Sequence, residues 1–290
     1  MRAALTPPEF RSWRVSDGYE LRGRVWPPLH SGAPAGVLYL HGIQSHGGWF
    51  EWSASCLAQG GLPVLLADRR GSGLNGTARG DTPAAERWLA DLDELAEWSE
   101  HEWQVQRVAV VGVSWGGKLA VAWALRRPER AARVLLVAPG LFPAVDVGLL
   151  ARLRIGAALL TCPQREFPVP LADPALFTDE PAGRAFIAGD PLKLTHATAR
   201  FLYESARLDR RLRRAAPGSL HADTTLLLAG RDQIIRNAPT AAWLRRIAAR
   251  APAVQEFPRA AHTLEFEGDL DPFGDVLRHW AAACASSGKP

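Results

Sequence analysis

Apolar and polar positions follow one another along this chain in blocks that predict strands and helices in turn. Five continuous apolar runs have strand length, and such runs are typical of strands covered on both faces, as in a parallel sheet. The runs are Val37–Leu40, Val64–Ala67, Val108–Val111, Val134–Val137 and Thr225–Leu228. Segments of helical length separate most of these runs. This order predicts an α/β fold, with a mostly parallel, doubly wound sheet and right-handed crossovers.

The N-terminal region shows a different pattern. Phe10–Val15 and Glu20–Trp26 read as strands with a polar face, and they flank Asp17-Gly18. Because this dipeptide favours tight hairpin turns, the region predicts an antiparallel hairpin.

A long segment, residues 141–217, also interrupts the alternation. It is rich in proline and contains no clear buried strand, although helical stretches occur near Val147–Leu160 and Leu192–Arg214. Long insertions within a compact domain are usually functional. We therefore expect residues 1–140 and 218–290 to form the core, with residues 141–217 inserted as a helical cap.

Composition indicates a globular enzyme. Hydrophobic residues make up 47% of the 290 positions and charged residues 22%, which excludes a disordered chain. A net charge of +4 does not indicate a nucleic-acid binder. The three cysteines form no C-x-x-C pair, so neither a disulfide framework nor a metal site is predicted. Because no apolar run would suit a signal peptide or a transmembrane segment, we expect a cytoplasmic protein.

The strongest chemical signal is Gly112-Val-Ser114-Trp-Gly116. It follows the predicted strand Arg107–Val111 and precedes a helix, which is the context of a nucleophile elbow. Such a turn exposes the serine hydroxyl, and glycines on either side let the neighbouring backbone pass closely. Ser114 is therefore the candidate nucleophile; the alternative is a serine that only caps the helix.

A serine nucleophile needs a base and a group that orients the base. Asp232 follows the strand Thr224–Ala229, and His262 follows the predicted last strand, Val254–Phe257. The chain order of serine, acid and histidine is the one found in α/β-hydrolases. We expect these two residues to complete a catalytic triad with Ser114. The alternatives are a turn aspartate and a solvated loop histidine.

The negative charge that develops on the substrate also needs hydrogen-bond donors. One candidate is the backbone N–H of Trp115, directly after the nucleophile. The other is the N–H of Ile43, because Gly42 lets the loop after the first parallel strand turn toward the site. The indole of Trp115 has two interpretations, packing at the start of its helix or contact with substrate, and we favour packing. His41-Gly42 could also act as a plain strand terminator.

Two further segments give a family resemblance. Residues 41–48 resemble the H-G-x-x-x-H-x-G segment of monoacylglycerol lipases and bacterial lysophospholipase-like serine hydrolases, and residues 68–73 resemble their D-x-R-G-x-G loop. The resemblance implies an α/β-hydrolase fold, a helical cap, ester hydrolysis and no cofactor. The Gly-x-Ser-Trp-Gly elbow is also similar to that of proline iminopeptidases. Those enzymes have an H-G-G-P-G loop where this chain has Ile43, Gln44 and Ser45, so we rank peptidase below esterase.

The insertion contains apolar residues suited to the wall of an acyl-binding pocket. Apolar residues cluster within a few helical turns, and we expect Leu153 and Leu159 to contact substrate. The cluster comprises Leu149, Leu150, Leu153, Ile155, Leu159 and Leu160.

Basic residues lie at the C-terminal end of the insertion. They form either a solvated helix face or a surface for anionic lipid headgroups. These are Arg207, Arg210, Arg211, Arg213 and Arg214.

The sequence therefore predicts a serine carboxylic ester hydrolase that cleaves a single-chain acyl ester, with transient contact to a lipid interface. An acyltransferase would use the same three residues, and a serine aminopeptidase is a weaker alternative. A binding protein without catalysis is disfavoured, because it has no need of all three residues.

Overall fold

A computed structural model describes residues 6–29 and 33–286 of the chain. The expectation that the chain has no signal peptide rests partly on residues 1–5, which lie outside the described residues. Within the described ranges, no helix is both long enough and apolar enough to cross a membrane.

Ten strands are present in the described residues, and eight of them form one sheet in the order β1-β2-β4-β3-β5-β6-β9-β10. The strands are β1 (Glu9–Arg14), β2 (Glu20–Trp26), β3 (Gly36–Leu40), β4 (Val64–Ala67), β5 (Val108–Val113), β6 (Ala131–Val137), β7 (Glu166–Pro168), β8 (His196–Thr198), β9 (Asp223–Ala229) and β10 (Ala253–Phe257). β1 and β2 form the expected antiparallel hairpin, and β2 also runs antiparallel to β4. Every other pairing in this sheet is parallel, which confirms the predicted architecture.

The helices cover both faces of the sheet. They are α1 (Glu51–Gln59), α2 (Ala85–Trp103), α3 (Trp115–Arg126), α4 (Leu149–Thr161), α5 (Pro181–Gly189), α6 (Ala199–Arg213), α7 (Asn237–Ile247) and α8 (Asp271–Ser286). α1 packs against α8, and α2 packs against α3. Every residue of β3 and β5 is buried as a result, which accounts for their continuous apolar sequences.

α3 follows the elbow directly and begins at Trp115, although Gly116 and Gly117 are poor helix formers. A Cβ on Gly116 would lie 2.3 Å from the carbonyl oxygen of Leu40, so tertiary packing demands glycine here and overrides its low helix propensity.

The segment between β6 and β9 contains α4, α5 and α6, together with the small antiparallel sheet of β7 and β8. The sequence predicts that His196 lies in a helix, but it lies in β8. α6 begins after Thr198, whose hydroxyl accepts a hydrogen bond from the Phe201 N–H and so caps the helix. Asp190 ties this segment to the core, because it accepts a hydrogen bond from Trp49 Nε1 at 2.7 Å.

The parallel strands bring the predicted site residues to one edge of the sheet. β3, β4, β5, β9 and β10 all run in one direction, so the loops at their carboxyl ends lie side by side. In chain order those loops carry Ile43, Arg69, Ser114, Asp232 and His262.

Candidate active site

Ser114 occupies a strained turn between β5 and α3. Its backbone has φ +50° and ψ −125°, a conformation that side-chain-bearing residues rarely adopt. The surrounding backbone stabilises the turn, since the Ser114 N–H donates to the Val137 carbonyl and its own carbonyl accepts from Gly117 and Gly140. A Cβ on Gly112 would lie 2.7 Å from the Ala120 Cβ, so the turn also depends on that glycine. This local geometry is that of the predicted elbow.

Ser114, His262 and Asp232 come together although they are far apart in sequence. Ser114 Oγ lies 2.8 Å from His262 Nε2, and His262 Nδ1 lies 2.7 Å from Asp232 Oδ2. The other Asp232 oxygen accepts hydrogen bonds from the N–H groups of Ile234 and Ile235. With its proton on Nδ1, the imidazole donates to the carboxylate and its Nε2 accepts the serine O–H. Such an arrangement can draw the hydroxyl proton onto the imidazole as the oxygen attacks a carbonyl carbon.

The two predicted oxyanion donors lie beside the nucleophile. Trp115 follows Ser114 directly, and Ile43 lines the same cleft. Gly42 brings the Ile43 loop close, since a Cβ on Gly42 would lie 3.4 Å from the Ser114 Cβ. The Trp115 indole is buried, stacks on Phe201 and donates a 2.9 Å hydrogen bond to Ser205 Oγ. The indole therefore packs within the fold.

Arg69 joins the two loops that carry these donors. Its guanidinium donates to the carbonyl oxygens of Gly42 at 2.9 Å and Ile43 at 3.0 Å, and it lies 4.7 Å from the centre of the Trp115 ring. Burial lowers the pKa of Arg69 to about 9, against the opposing effect of Asp68. The group therefore keeps its charge at neutral pH and holds both loops at once.

His41 supports the same loop as a neutral imidazole. Its Nδ1 donates to the Gly42 carbonyl at 2.8 Å, and its Nε2 accepts the backbone N–H of Arg69 at 2.8 Å. Burial lowers the pKa of His41 well below its ordinary value, and the Arg69 charge adds to the effect. His41 is therefore not a plain strand terminator, because both ring nitrogens are engaged in positioning the loop.

An open cleft of about 600 Å³ leads to Ser114. Its wall includes Ile155 and Leu159 from α4 and Leu202 from α6. Of the two leucines predicted to contact substrate, Leu159 is part of this wall. Leu153 is not part of the wall, and its side chain is 64% exposed on the outer side of α4.

A family model described as Hydrolase_4, "Serine aminopeptidase, S33", matches residues 32–269. The chain belongs to the Hydrolase_4 family. The predicted α/β-hydrolase fold is confirmed by this match and by solved structures of similar fold.

Three of those solved structures are informative about the fold of this Hydrolase_4 member. A soluble variant of monoglyceride lipase from Saccharomyces cerevisiae has a TM-score of 0.84 at 16% identity, covering 97% of this chain and 96% of its own. The monoacylglycerol lipase of Paleococcus ferrophilus has a TM-score of 0.81 at 19% identity, covering 91% and 99%. A carboxyl esterase from Bacillus coagulans has a TM-score of 0.78 at 13% identity, covering 97% and 99%. At these identities the likeness shows a shared fold.

Two curated relatives are also similar to the Hydrolase_4 chain. The uncharacterized protein YnbC of Escherichia coli (strain K12) is 26% identical over 237 residues, which cover 80% of this chain and 40% of YnbC. An uncharacterized abhydrolase domain-containing protein of Dictyostelium discoideum is 32% identical over 134 residues, which cover 46% of this chain and 14% of that protein. The chain thus spans less than half the length of either relative.

Sequence reasoning missed three polar groups that surround the elbow of this Hydrolase_4 member. Arg69 is one; it lies just after β4, within the segment that resembles the D-x-R-G-x-G loop, and these were the available signals of its role. The others are Lys118 on α3 and Ser205 on α6; Lys118 Nζ pairs with Asp209 at 2.7 Å, and Ser205 accepts the Trp115 indole N–H. Nearly ninety residues separate Lys118 from Ser205, so no local pattern could connect them.

Proposed function

We propose that this protein is a serine carboxylic ester hydrolase that cleaves single-chain acyl esters through an acyl-enzyme. One observation carries the proposal: Ser114, His262 and Asp232 form a continuous hydrogen-bonded relay that opens into a cleft. The elbow holds the hydroxyl toward that cleft, and the base and its orienting carboxylate are almost completely buried.

Each residue of the relay has a defined role in the proposed reaction. Ser114 Oγ attacks the ester carbonyl carbon while His262 takes its proton, and Asp232 orients and stabilises the resulting imidazolium. The backbone N–H groups of Trp115 and Ile43 donate to the oxyanion. His262 then gives its proton to the leaving alcohol. A water molecule, activated by the same imidazole, releases the acid from Ser114.

The cleft wall suits an acyl chain. Ile155, Leu159 and Leu202 place apolar surface on the side formed by the segment between β6 and β9. We infer that residues 141–217 act as a cap over the site and that Leu159 contacts the acyl chain. The names of similar structures, monoacylglycerol and monoglyceride lipases, agree with a glycerol monoester as substrate.

The outer side of α4 has a separate proposed role. Leu153 lies there with three other exposed leucines. The set comprises Leu149, Leu150, Leu153 and Leu160. An exposed apolar helix face of this kind can insert into a lipid interface. We infer that it brings the cleft mouth to a surface that holds the ester.

Aminopeptidase activity, which the family description names, fits the cleft less well. A peptidase that binds a substrate's terminal ammonium needs an unpaired carboxylate in the cleft. In the described part of the wall, Asp146 is paired with Arg152 and Asp209 with Lys118. Acyl transfer would use the same relay with an alcohol in place of water, and products formed with and without added alcohol distinguish it from hydrolysis.

The test is turnover of p-nitrophenyl esters and 1-monoacylglycerols, beside aminoacyl p-nitroanilides as peptidase substrates. Ser114→Ala should reduce ester turnover by about 10⁴-fold or more while the protein stays folded. A fluorophosphonate probe should label the wild type and not this variant. Ser219→Ala, away from the active-site cleft, is the matched control and should behave as wild type. More than a tenth of wild-type activity in Ser114→Ala, or turnover of anilides alone, would overturn the proposal.

A further inference from the structure

Four arginines at the end of α6 lack a carboxylate partner among the described residues. We call them the α6 arginines; they are Arg210, Arg211, Arg213 and Arg214. By contrast, Arg207, one turn earlier on the same helix, pairs with both Glu86 and Glu204. The end of α6 is therefore a patch of positive charge that no carboxylate of the described residues offsets.

The four side chains divide between two cavities. Arg210 and Arg213 line the cleft that contains Ser114. Arg211 and Arg214 line a neighbouring surface cavity of about 700 Å³, to which Arg210 also contributes. The division follows from helix geometry, because residues three apart lie on the same face. A ligand that reaches Ser114 thus shares its cleft with two unpaired guanidinium groups.

The other charges in the cleft wall are already neutralised. Asp209 pairs with Lys118 at 2.7 Å, and Asp146 pairs with Arg152. The uncompensated charge in the described wall is therefore positive, and it comes from the two arginines.

Aromatic rings hold both guanidinium groups in place. The guanidinium carbon of Arg210 lies 5.8 Å from the centre of the Tyr203 ring, and that of Arg213 lies 5.5 Å from the centre of the Phe142 ring. A planar guanidinium group held in this way can bind a carboxylate or phosphate with two hydrogen bonds.

The distance to the nucleophile sets where the anion would lie. Ser205, which accepts the Trp115 indole N–H, marks the part of α6 beside the elbow. Arg210 and Arg213 lie further along the helix by about 8 and 12 Å, at 1.5 Å per residue. An anionic group bound there would be several atoms away from the carbonyl carbon under attack.

We propose that the cleft selects esters that carry an anionic group, a carboxylate or a phosphate, several atoms from the scissile carbonyl. This inference rests on the proposed ester hydrolysis and names its substrate class. The alternative role of the arginines is to offset the negative end of the α6 dipole. Arg211 and Arg214 could do that equally well, so they provide matched controls.

The experiment compares kcat/KM for matched neutral and anionic esters. One pair is p-nitrophenyl octanoate and the mono-p-nitrophenyl ester of suberic acid, in which the charge lies on the acyl side. The other pair is a 1-acylglycerol and the 1-acylglycerol 3-phosphate of the same chain, in which it lies on the leaving-group side. We expect the anionic member of one pair to be preferred about tenfold at low salt, with the preference shrinking as ionic strength rises.

Two double variants distinguish specific recognition of the anionic group from a general effect of positive charge. Arg210→Gln combined with Arg213→Gln should bring the anionic-to-neutral ratio close to one. Arg211→Gln combined with Arg214→Gln removes the same charge from the same helix end and should keep the wild-type ratio. The wild-type ratios test the anion site even if a variant fails to fold. Equal rates within both pairs, or equal loss in both double variants, would overturn the anion site, whereas absence of turnover on every ester would overturn the proposed function itself.

Discussion

We expect Glu265 to make the stability of this protein depend on pH. It lies in the 3-10 turn Leu264–Phe266, just after His262, and is only 9% exposed. One carboxyl oxygen accepts the Ser53 N–H at 2.9 Å, while the other has no hydrogen-bond partner among the described residues. Burial raises the pKa of Glu265 from 4.5 to about 7, against the lowering effect of the Ser53 hydrogen bonds.

The direction of the effect follows from proton linkage. The folded protein binds this proton more tightly than the unfolded chain, so the contribution to stability is complete below pH 4.5 and is lost as pH rises through about 7. A tenfold change in proton affinity corresponds to about 1.4 kcal/mol, so the loss amounts to about 3 kcal/mol across the window. Glu265→Gln keeps an acceptor for the Ser53 N–H and removes the ionisation. We therefore expect the variant to gain about 2 to 3 kcal/mol relative to wild type between pH 5 and pH 8.

Urea unfolding of both proteins at pH 5, 6, 7 and 8 measures this difference. Glu256→Gln, on the exposed face of β10, controls for the loss of one carboxylate. Parallel stability curves for wild type and Glu265→Gln would show that the Glu265 carboxyl is not held in a buried environment, and would refute the reasoning.

Three further predictions concern the site. Asp232→Asn should lower kcat on p-nitrophenyl esters by about 10⁴-fold, whereas Asp269→Asn should stay near wild type; the reverse order would contradict the relay. Arg69→Met should lower kcat by about 10- to 100-fold with a smaller change in KM, because both oxyanion donors lose their common support; a rise in KM alone would assign Arg69 to substrate binding. Leu159→Asp should abolish the gain in kcat/KM from acetyl to octanoyl esters, whereas Leu153→Asp should preserve it; equal profiles would mean that α4 does not line the acyl site.

The sequence was most informative where local chemistry determines structure. The buried strands could be recognised because a strand covered on both faces must be apolar throughout, as β5 is. The elbow could be recognised because only glycine fits at Gly112 and Gly116. Asp232 and His262 could then be identified because each lies in the loop after a predicted strand, in the chain order expected of a triad.

Tertiary packing decided what the sequence could not. α4 has leucines on several sides, so its pattern does not show that Leu159 faces the cleft while Leu153 faces outward. The position of His196 in β8 depends on pairing with β7, which lies some thirty residues earlier in the chain. Arg69 donates to backbone carbonyl oxygens of another loop. Because every residue has a backbone carbonyl, the sequence does not show which ones accept these hydrogen bonds.

The direct pairing of β6 with β9 has an evolutionary consequence. Leu136 lies opposite Leu226 in the sheet, so the register of the core is specified without any strand from the intervening segment. Mutations and insertions at exposed positions between the two strands can therefore accumulate while the sheet that supports the relay stays intact. Under the proposed function, variation in that segment would change which ester enters before it changes how the ester is cleaved, and recombination of whole segments among family members would offer a route to new specificities.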